Sequence, residues 1–400
     1  MEHKIGTRLI HEGESRPLGA INIPIFQSST YVSSEDAPYH EIRYLRLGNT
    51  PAHDAIQEKL CALTGAEATL VSASGMAAVA SVLMGLLDGG DHILIEESLY
   101  GGTFELLVQD FSRFGLSYSF IDGRAPGTWQ EHLRPSTRMI YLESITNPCL
   151  KVGDLHSAVS FAKKHGLISV CDNTFASPYN FSAIRAGFDV ELHSATKYLN
   201  GHSDITAGLV AASRSHVAKI HAYQNRHGAV LDPNSLFLLS RGLKTLHVRM
   251  REHNRNALAL AQKLAEHPLA LARQAPGGQD HALRVHYPLL QSHPDFARAK
   301  VLLPHGASGM LSFTLPENWL PAQVDTFLTA LRLPVRAPSL GGVESLITIP
   351  AETSHKSLPA SLRARLGISD HLVRLSVGLE DWEDLWKDLS LALDRATTRP

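Results

Sequence analysis

Lys197 stands in the segment His193-Ser-Ala-Thr-Lys-Tyr-Leu-Asn-Gly-His-Ser-Asp204, between hydroxyls that suit an anionic ester. Ser194 and Thr196 can donate to a phosphate oxygen while the lysine projects an amine from the same turn. An amine whose charge is suppressed by partial burial or a neighbouring group attacks carbonyls and forms Schiff bases. The bland alternative is a surface lysine among solvated hydroxyls. Asp172 lies 25 residues earlier, in Val170-Cys-Asp-Asn-Thr-Phe-Ala-Ser-Pro178, directly after a short apolar run. A carboxylate there either caps a helix or pairs with a cation such as a protonated ring nitrogen, and the segment alone leaves both open.

Two more segments carry weaker signals. Ser72-Ala-Ser-Gly-Met-Ala-Ala78 opens a strongly apolar stretch, and a glycine at a helix start lets backbone N–H groups approach an anion. Small residues before a helix are also common for packing reasons, and no GxxxxGK[ST] phosphate loop occurs. Leu99-Tyr-Gly-Gly-Thr103 places Tyr100 at a strand-to-helix turn, where it could stack on a flat ring and exchange a proton, or simply fill a core.

Elements able to position these residues follow a regular rhythm. Residues 52–64 hold Ile56, Leu60 and Leu63 at helical spacing, and 103–114 also read as a helix. Residues 92–95, 117–121, 139–142 and 167–171 are short apolar runs with helical stretches between them. That alternation predicts an α/β fold with a largely parallel sheet and helices on both faces. Ligands in such sheets sit beyond the carboxyl ends of the strands, and Glu143, Asn147, Asp172, Asn173 and Ser194 all fall there. The first fifty residues, with Pro17, Pro24, Pro38 and Pro51, read as an extended arm. Residues 51–245 form the expected large domain. From 246 to 400 a long amphipathic helix (248–265), a Pro/Gly-rich connection (268–278) and a smaller α/β segment are expected.

Composition narrows the classes further. The chain has 400 residues, 44% hydrophobic and 19% charged, with a formal net charge of −2, so no global field points to nucleic acid or membrane. Arg249, Arg251 and Arg255 read as a solvated helix face, with acids interspersed. Three cysteines, Cys61, Cys149 and Cys171, without close spacing argue against a disulfide framework and for a reducing compartment. Twenty-two histidines invite a metal, but no HExxH spacing occurs, so no metal site is expected. The segment MEHKIGTRLIHEG lacks the features of a secretory leader, and Met76–Leu87 is too short to span a bilayer. A cytoplasmic location is the expectation.

The joint order of SGM, YGGT, ESxxNP, DNT, S-x-T-K, SLGGVES and RLSVGLED resembles the trans-sulfuration family of pyridoxal 5′-phosphate (PLP) enzymes of Cys/Met metabolism, over about Thr7 to Leu391. The resemblance implies PLP-dependent fold type I, aspartate-aminotransferase-like, with a smaller C-terminal α/β domain. It implies that Lys197 binds PLP and moves protons, that Asp172 pairs with the pyridine nitrogen, and that Tyr100 stacks on the ring. Gly75, Met76, Ser194 and Thr196 would hold the phosphate, and Asn147 would sit near the ring hydroxyl. Tyr44 and Arg46 match a YxR motif that completes this site from a neighbouring subunit, implying a homo-oligomer, usually a tetramer built as a dimer of dimers. Arg374, helped by Ser339, would clamp the α-carboxylate of an amino-acid substrate.

The implied activity is C–S bond elimination at Cγ of cystathionine or a related substrate. γ-Replacement on an activated homoserine, β-elimination and methionine γ-lyase-like activity are the alternatives. A catalytically dead PLP-binding paralogue is disfavoured by intact Lys197, Asp172, Tyr100 and Arg374. Three departures stand out: Asn49-Thr50-Pro51 replaces N-P-T, Pro338 stands where Glu is frequent, and Glu105 occupies a position often held by Arg. Glu105 either faces solvent or repels a substrate's distal carboxylate.

Overall fold

The computed structural model describes residues 3–32, 42–272 and 282–398. The chain divides into two compact units. Met1–Glu97, Thr103–Ser144 and Gly153–His247 form the first; Ser98–Gly102, Ile145–Val152 and Val248–Pro400 form the second.

The first unit is built on seven strands: β1 (Ala68–Ser72), β2 (His92–Glu96), β3 (Ser117–Ile121), β4 (Thr137–Glu143), β5 (Ile168–Asp172), β6 (Val190–Ser194) and β7 (Gly208–Ala212). Their order in space is β1-β7-β6-β5-β4-β2-β3, and β7 alone runs antiparallel to both of its neighbours. The remaining pairings are parallel, as the alternating pattern predicts. Fully buried runs such as Ile93-Leu94-Ile95 and Met139–Leu142 explain the absence of polar alternation along these strands.

Helices α1 (Ile5–His11), α2 (Pro51–Thr64), α3 (Gly75–Leu86), α4 (Gly101–Asp110) and α5 (Leu155–His165) show the expected boundary chemistry. Pro51 opens α2 with its preset φ, and Gly65 closes it at φ +82°. Asp154 caps α5 by accepting from the Ser157 amide, and Lys163, Lys164 and His165 sit in its last turn. The helix expected over 103–114 is shorter than predicted, because a 3₁₀ turn over Phe111–Phe114 follows α4. The expected arm contains the short α1, and its residues 33–41, with Pro38, lie outside the described residues.

The second unit carries five strands: β8 (Arg284–His286), β9 (Met310–Thr314), β10 (Val335–Arg336), β11 (Leu346–Thr348) and β12 (Leu372–Ser376). Their order is β10-β11-β12-β9-β8, and only the β10–β11 pair is parallel. The long amphipathic helix runs Leu246–Glu266. Arg251 and Arg255 are exposed on it as expected, but Arg249 is buried, and burial lowers its pKa to about 10. The connection expected over 268–278 begins with a helical turn at Pro268–Leu271; its residues 273–278 lie outside the described residues. Among the described residues no helix is long and apolar enough to cross a membrane, and no cluster of three or more His, Cys, Asp or Glu could hold a metal ion.

Candidate active site

In the first unit, strand register brings the polar residues to one sheet edge. Glu143 at the end of β4 pairs in register with Asp172 at the end of β5, and Asp172 pairs with Leu192, two residues before Ser194 closes β6. Asp172 is half-buried. Its Oδ1 accepts from the Thr174 hydroxyl at 2.6 Å and from the Thr174 amide at 3.0 Å, and its Oδ2 accepts from the Tyr141 hydroxyl at 3.3 Å. Burial pushes the Asp172 pKa up, and the two Thr174 hydrogen bonds are the strongest opposition to that rise. Tyr141 is fully buried, which holds its phenol well above the ordinary tyrosine pKa and so in its donor form.

The start of α3 meets the end of β6. Ser74 caps the helix by accepting from the Ala77 amide at 3.1 Å, while the first-turn amides of Gly75 and Met76 precede any helical carbonyl able to bond them. Glycine is required at position 75 by contact: a Cβ there would stand 2.6 Å from Ser194 Cβ and 2.7 Å from its Oγ. Gly208 on β7 is equally constrained, since a Cβ would stand 2.3 Å from the Ser74 carbonyl oxygen. Backbone donors, a helix N-terminus and the Ser194 hydroxyl therefore converge, which is the donor set a phosphate needs. Lys197 follows in a turn whose amide bonds the Ser194 carbonyl at 3.1 Å. Thr196 is engaged differently from the sequence expectation: its hydroxyl donates to the Ala207 carbonyl at 3.2 Å and accepts from the Ala207 amide at 2.9 Å.

A carboxylate for a ring nitrogen, a phosphate cradle and a lysine amine all stem from the ends of β5 and β6 and the start of α3. These residues fit PLP. Half-buried Tyr44 and exposed Arg46 form a separate group, with the Arg46 guanidinium 5.7 Å from the Tyr44 ring centroid and bonded to the Asn225 carbonyl at 2.9 Å. Glu105 is exposed on α4.

The second unit holds the other expected residues. Arg374 on β12 is only 5% exposed; its Nη1 donates to Asn147 Oδ1 at 3.1 Å and its Nη2 to the Ser339 carbonyl at 3.2 Å. Ser339 adopts φ +92°, a left-handed conformation that turns this carbonyl toward the guanidinium. Tyr100 is 43% exposed. The carbonyl of its neighbour Leu99 accepts from His355 Nε2 at 3.3 Å, and Ser354 Oγ lies 2.9 Å from His355 Nδ1. Burial, aided by the Arg374 charge, lowers the His355 pKa to about 4, so the ring is neutral.

Tyr141, Thr174 and His355 are brought beside expected residues without having been singled out in the sequence. Thr174 carried a usable signal, because Asp-x-Thr after a strand is a local side-chain-to-backbone turn. The other two depend on tertiary packing.

Comparison with known proteins matches this geometry to its relatives. The sequence model described as "Cys/Met metabolism PLP-dependent enzyme" matches residues 6–394. The chain is 39% identical to the cystathionine gamma-lyase of Bacillus subtilis (strain 168) over 391 residues, covering 97% of this chain and 98% of that protein. It is 41% identical to a cystathionine beta-lyase of Lactococcus lactis subsp. cremoris over 392 residues, covering 97% and 98%. The crystal structure of cystathionine gamma-lyase from Lactobacillus plantarum complexed with L-serine superposes with a TM-score of 0.90 at 36% identity, covering 99% of this chain and 100% of that one. The fold is therefore fold type I as expected, and the chain belongs to the Cys/Met metabolism PLP-dependent enzyme family.

Proposed function

We propose that the chain is a PLP-dependent carbon–sulfur lyase of trans-sulfuration, eliminating at Cγ of cystathionine or a related γ-substituted amino acid. The observation that carries this reading is the placement, within one unit, of Lys197 in the turn after β6 and Asp172 at the end of the neighbouring β5. Bound PLP supplies an electron sink for negative charge developed at Cα. Asp172 would hold the ring nitrogen, and by the family resemblance Tyr100 would stack on the ring and Asn147 would serve its hydroxyl. Gly75, Met76 and Ser194 would bind the phosphate, and Thr196 would join them if its hydroxyl hydrogen turned from the Ala207 carbonyl.

Arg374 binds the substrate α-carboxylate through the planar fork that the Ser339 carbonyl and Asn147 orient. Lys197 Nζ would hold the cofactor and would serve as the base at Cα. Elimination at Cγ needs a second proton removed at Cβ, and Lys197 serves that step too. The Tyr100 hydroxyl, or that of Tyr44, protonates the departing sulfur.

We further propose a cytoplasmic homotetramer in which Tyr44 and Arg46 complete the phosphate site of a neighbouring subunit. Residues 1–50 act as its reaching arm, 51–245 bind the cofactor and 246–400 form the C-terminal domain. Glu105 is exposed on α4, which fits its solvent-facing alternative, and a preference for a neutral or cationic distal group would require it to face the pocket instead.

Elimination at Cβ is the second reading, favoured by 41% identity to a relative named cystathionine beta-lyase. Product analysis with β- and γ-substituted amino acids separates the readings. 2-Oxobutyrate marks γ-elimination, pyruvate marks β-elimination, and a new thioether marks γ-replacement. Lys197→Ala is expected to abolish all three, and retained turnover in that variant would remove the basis of the proposal.

A further inference from the structure

We propose that Thr174 is a positioning residue of the cofactor site, its hydroxyl aiming the Asp172 carboxylate and tying it to the backbone of Ser194. The inference rests on the reading that Asp172 holds the ring nitrogen and Ser194 the phosphate.

The hydrogen bonds have a fixed direction. A hydroxyl carries one hydrogen. The Ser194 amide can only donate, and it meets Thr174 Oγ1 at 2.8 Å. The Thr174 hydrogen therefore goes to Asp172 Oδ1, at 2.6 Å. The chain runs Ser194 N–H, Thr174 O–H, Asp172 carboxylate, and each link polarises the next. One side chain thus spans from a phosphate-end residue on β6 to a ring-end residue on β5. With Oδ1 occupied twice by Thr174, the plane of the carboxyl is set, and Oδ2, whose partner is Tyr141, is the oxygen presented to the ring nitrogen.

The same hydroxyl favours the charged carboxylate. Burial favours protonated Asp172, and the Thr174 bonds are the largest influence in the other direction. The titratable neighbours are Tyr141 and Glu143 on β4, Cys171 beside Asp172, and His193 on β6. Replacing Thr174 leaves all of these in place.

A purely local role is the competing account. The Thr174 amide closes a turn on Asp172 Oδ1 at 3.0 Å, and that bond shapes the chain after β5 without any hydroxyl. Thr174→Val separates the two, since it keeps the amide and the branched shape and removes only the hydroxyl.

The experiment titrates pyridoxal phosphate into the apo forms of wild type, Thr174→Val, Thr174→Ser and Asp172→Asn, at several pH values, with apo-protein melting as a second readout. Thr174→Val is expected to bind about 10–100-fold more weakly, the range for one hydrogen bond to a charged group, a loss larger than any drop in apo melting from the unpaired Ser194 amide accounts for. Its affinity should also collapse at a higher pH on acidification, because the carboxylate has lost a stabilising donor. Thr174→Ser should restore binding to within about threefold of wild type, since the hydroxyl is retained. Unchanged binding in Thr174→Val alongside impaired Asp172→Asn overturns the role of Thr174 and leaves the site reading standing. Unimpaired Asp172→Asn overturns both. Weak binding in Thr174→Ser, or a loss in Thr174→Val that tracks lowered apo melting, assigns Thr174 to the fold alone and defeats the proposal.

Discussion

Arg374 Nη1 donates to Asn147 Oδ1 at 3.1 Å, joining a residue of β12 to the segment Ile145–Val152, more than two hundred positions earlier in the chain. Both side chains are buried, so the guanidinium is oriented before any substrate arrives. Asn147→Ala should raise KM for amino-acid substrates by about 10–100-fold, because a hydrogen bond to a charged group is lost, while kcat changes less. Arg374→Lys should raise KM further, since an ammonium cannot reproduce the fork. Steady-state kinetics with separate KM and kcat checks both. Equal loss in kcat and KM for Asn147→Ala would count against a carboxylate clamp.

Ser339 offers a test through backbone conformation. At φ +92° a glycine is at ease and a β-branched residue is not. Ser339→Gly should leave thermal stability within about 1 kcal/mol of wild type, whereas Ser339→Val should lose about 1–3 kcal/mol. The valine variant should also bind substrate more weakly, as its carbonyl moves off Arg374. Paired melting curves and KM values decide the matter.

The arm is held by a buried charge cluster. Lys59, 1% exposed, donates to the Leu9 carbonyl at 2.7 Å and to Glu14 at 2.9 Å. Lys244 reaches the same carboxylate oxygen at 3.0 Å and Asn22 Oδ1 at 2.7 Å. Burial opposes charge on Glu14, yet the two lysines win and hold its pKa below the ordinary value. Glu14→Gln strands Lys59 as an uncompensated buried cation and should cost about 3–5 kcal/mol. Limited proteolysis should then cut within residues 12–32 before the remainder of the first unit is attacked.

Acid sensitivity follows from buried neutral histidines. His53, His253 and His355 all have pKa values lowered to about 4, with burial the main cause in each. In the unfolded chain they titrate near 6.5, so below that pH the unfolded state binds more protons than the folded state. Their contribution to stability is complete above about pH 6.5 and is lost as pH falls through about 4. Denaturant midpoints measured from pH 7.5 to 4.5 should decline, and His355→Gln should flatten part of that decline. A pH-independent midpoint would refute the assignment.

The parallel core was legible because β2, β3, β4 and β5 are apolar runs of the right length between helices. β1, β6 and β7 were not, although they equal β2, β3 and β5 in length: small and polar residues dilute their apolar signal, and β1 pairs with a strand far away in sequence. Asp172, Gly75, Ser194 and Lys197 could be proposed because each sits beside a strand or helix end, where local patterning marks position. The Asp-x-Thr turn of Thr174 is local, but its bond from Ser194 and the imidazole geometry of His355 arise only after separate segments meet. The burial of Arg249 is likewise a tertiary outcome, invisible in a helix with interspersed acids.

The insertion of β7 between β1 and β6 has a consequence for synthesis on the ribosome. Among the described residues β1 hydrogen-bonds to no strand but β7, which is made about 140 residues later, so this sheet edge closes late and through a non-local contact. Until then the apolar β1 and α3 lack the surface that buries them, leaving a nascent chain stopped before Gly208 prone to aggregate and dependent on chaperones.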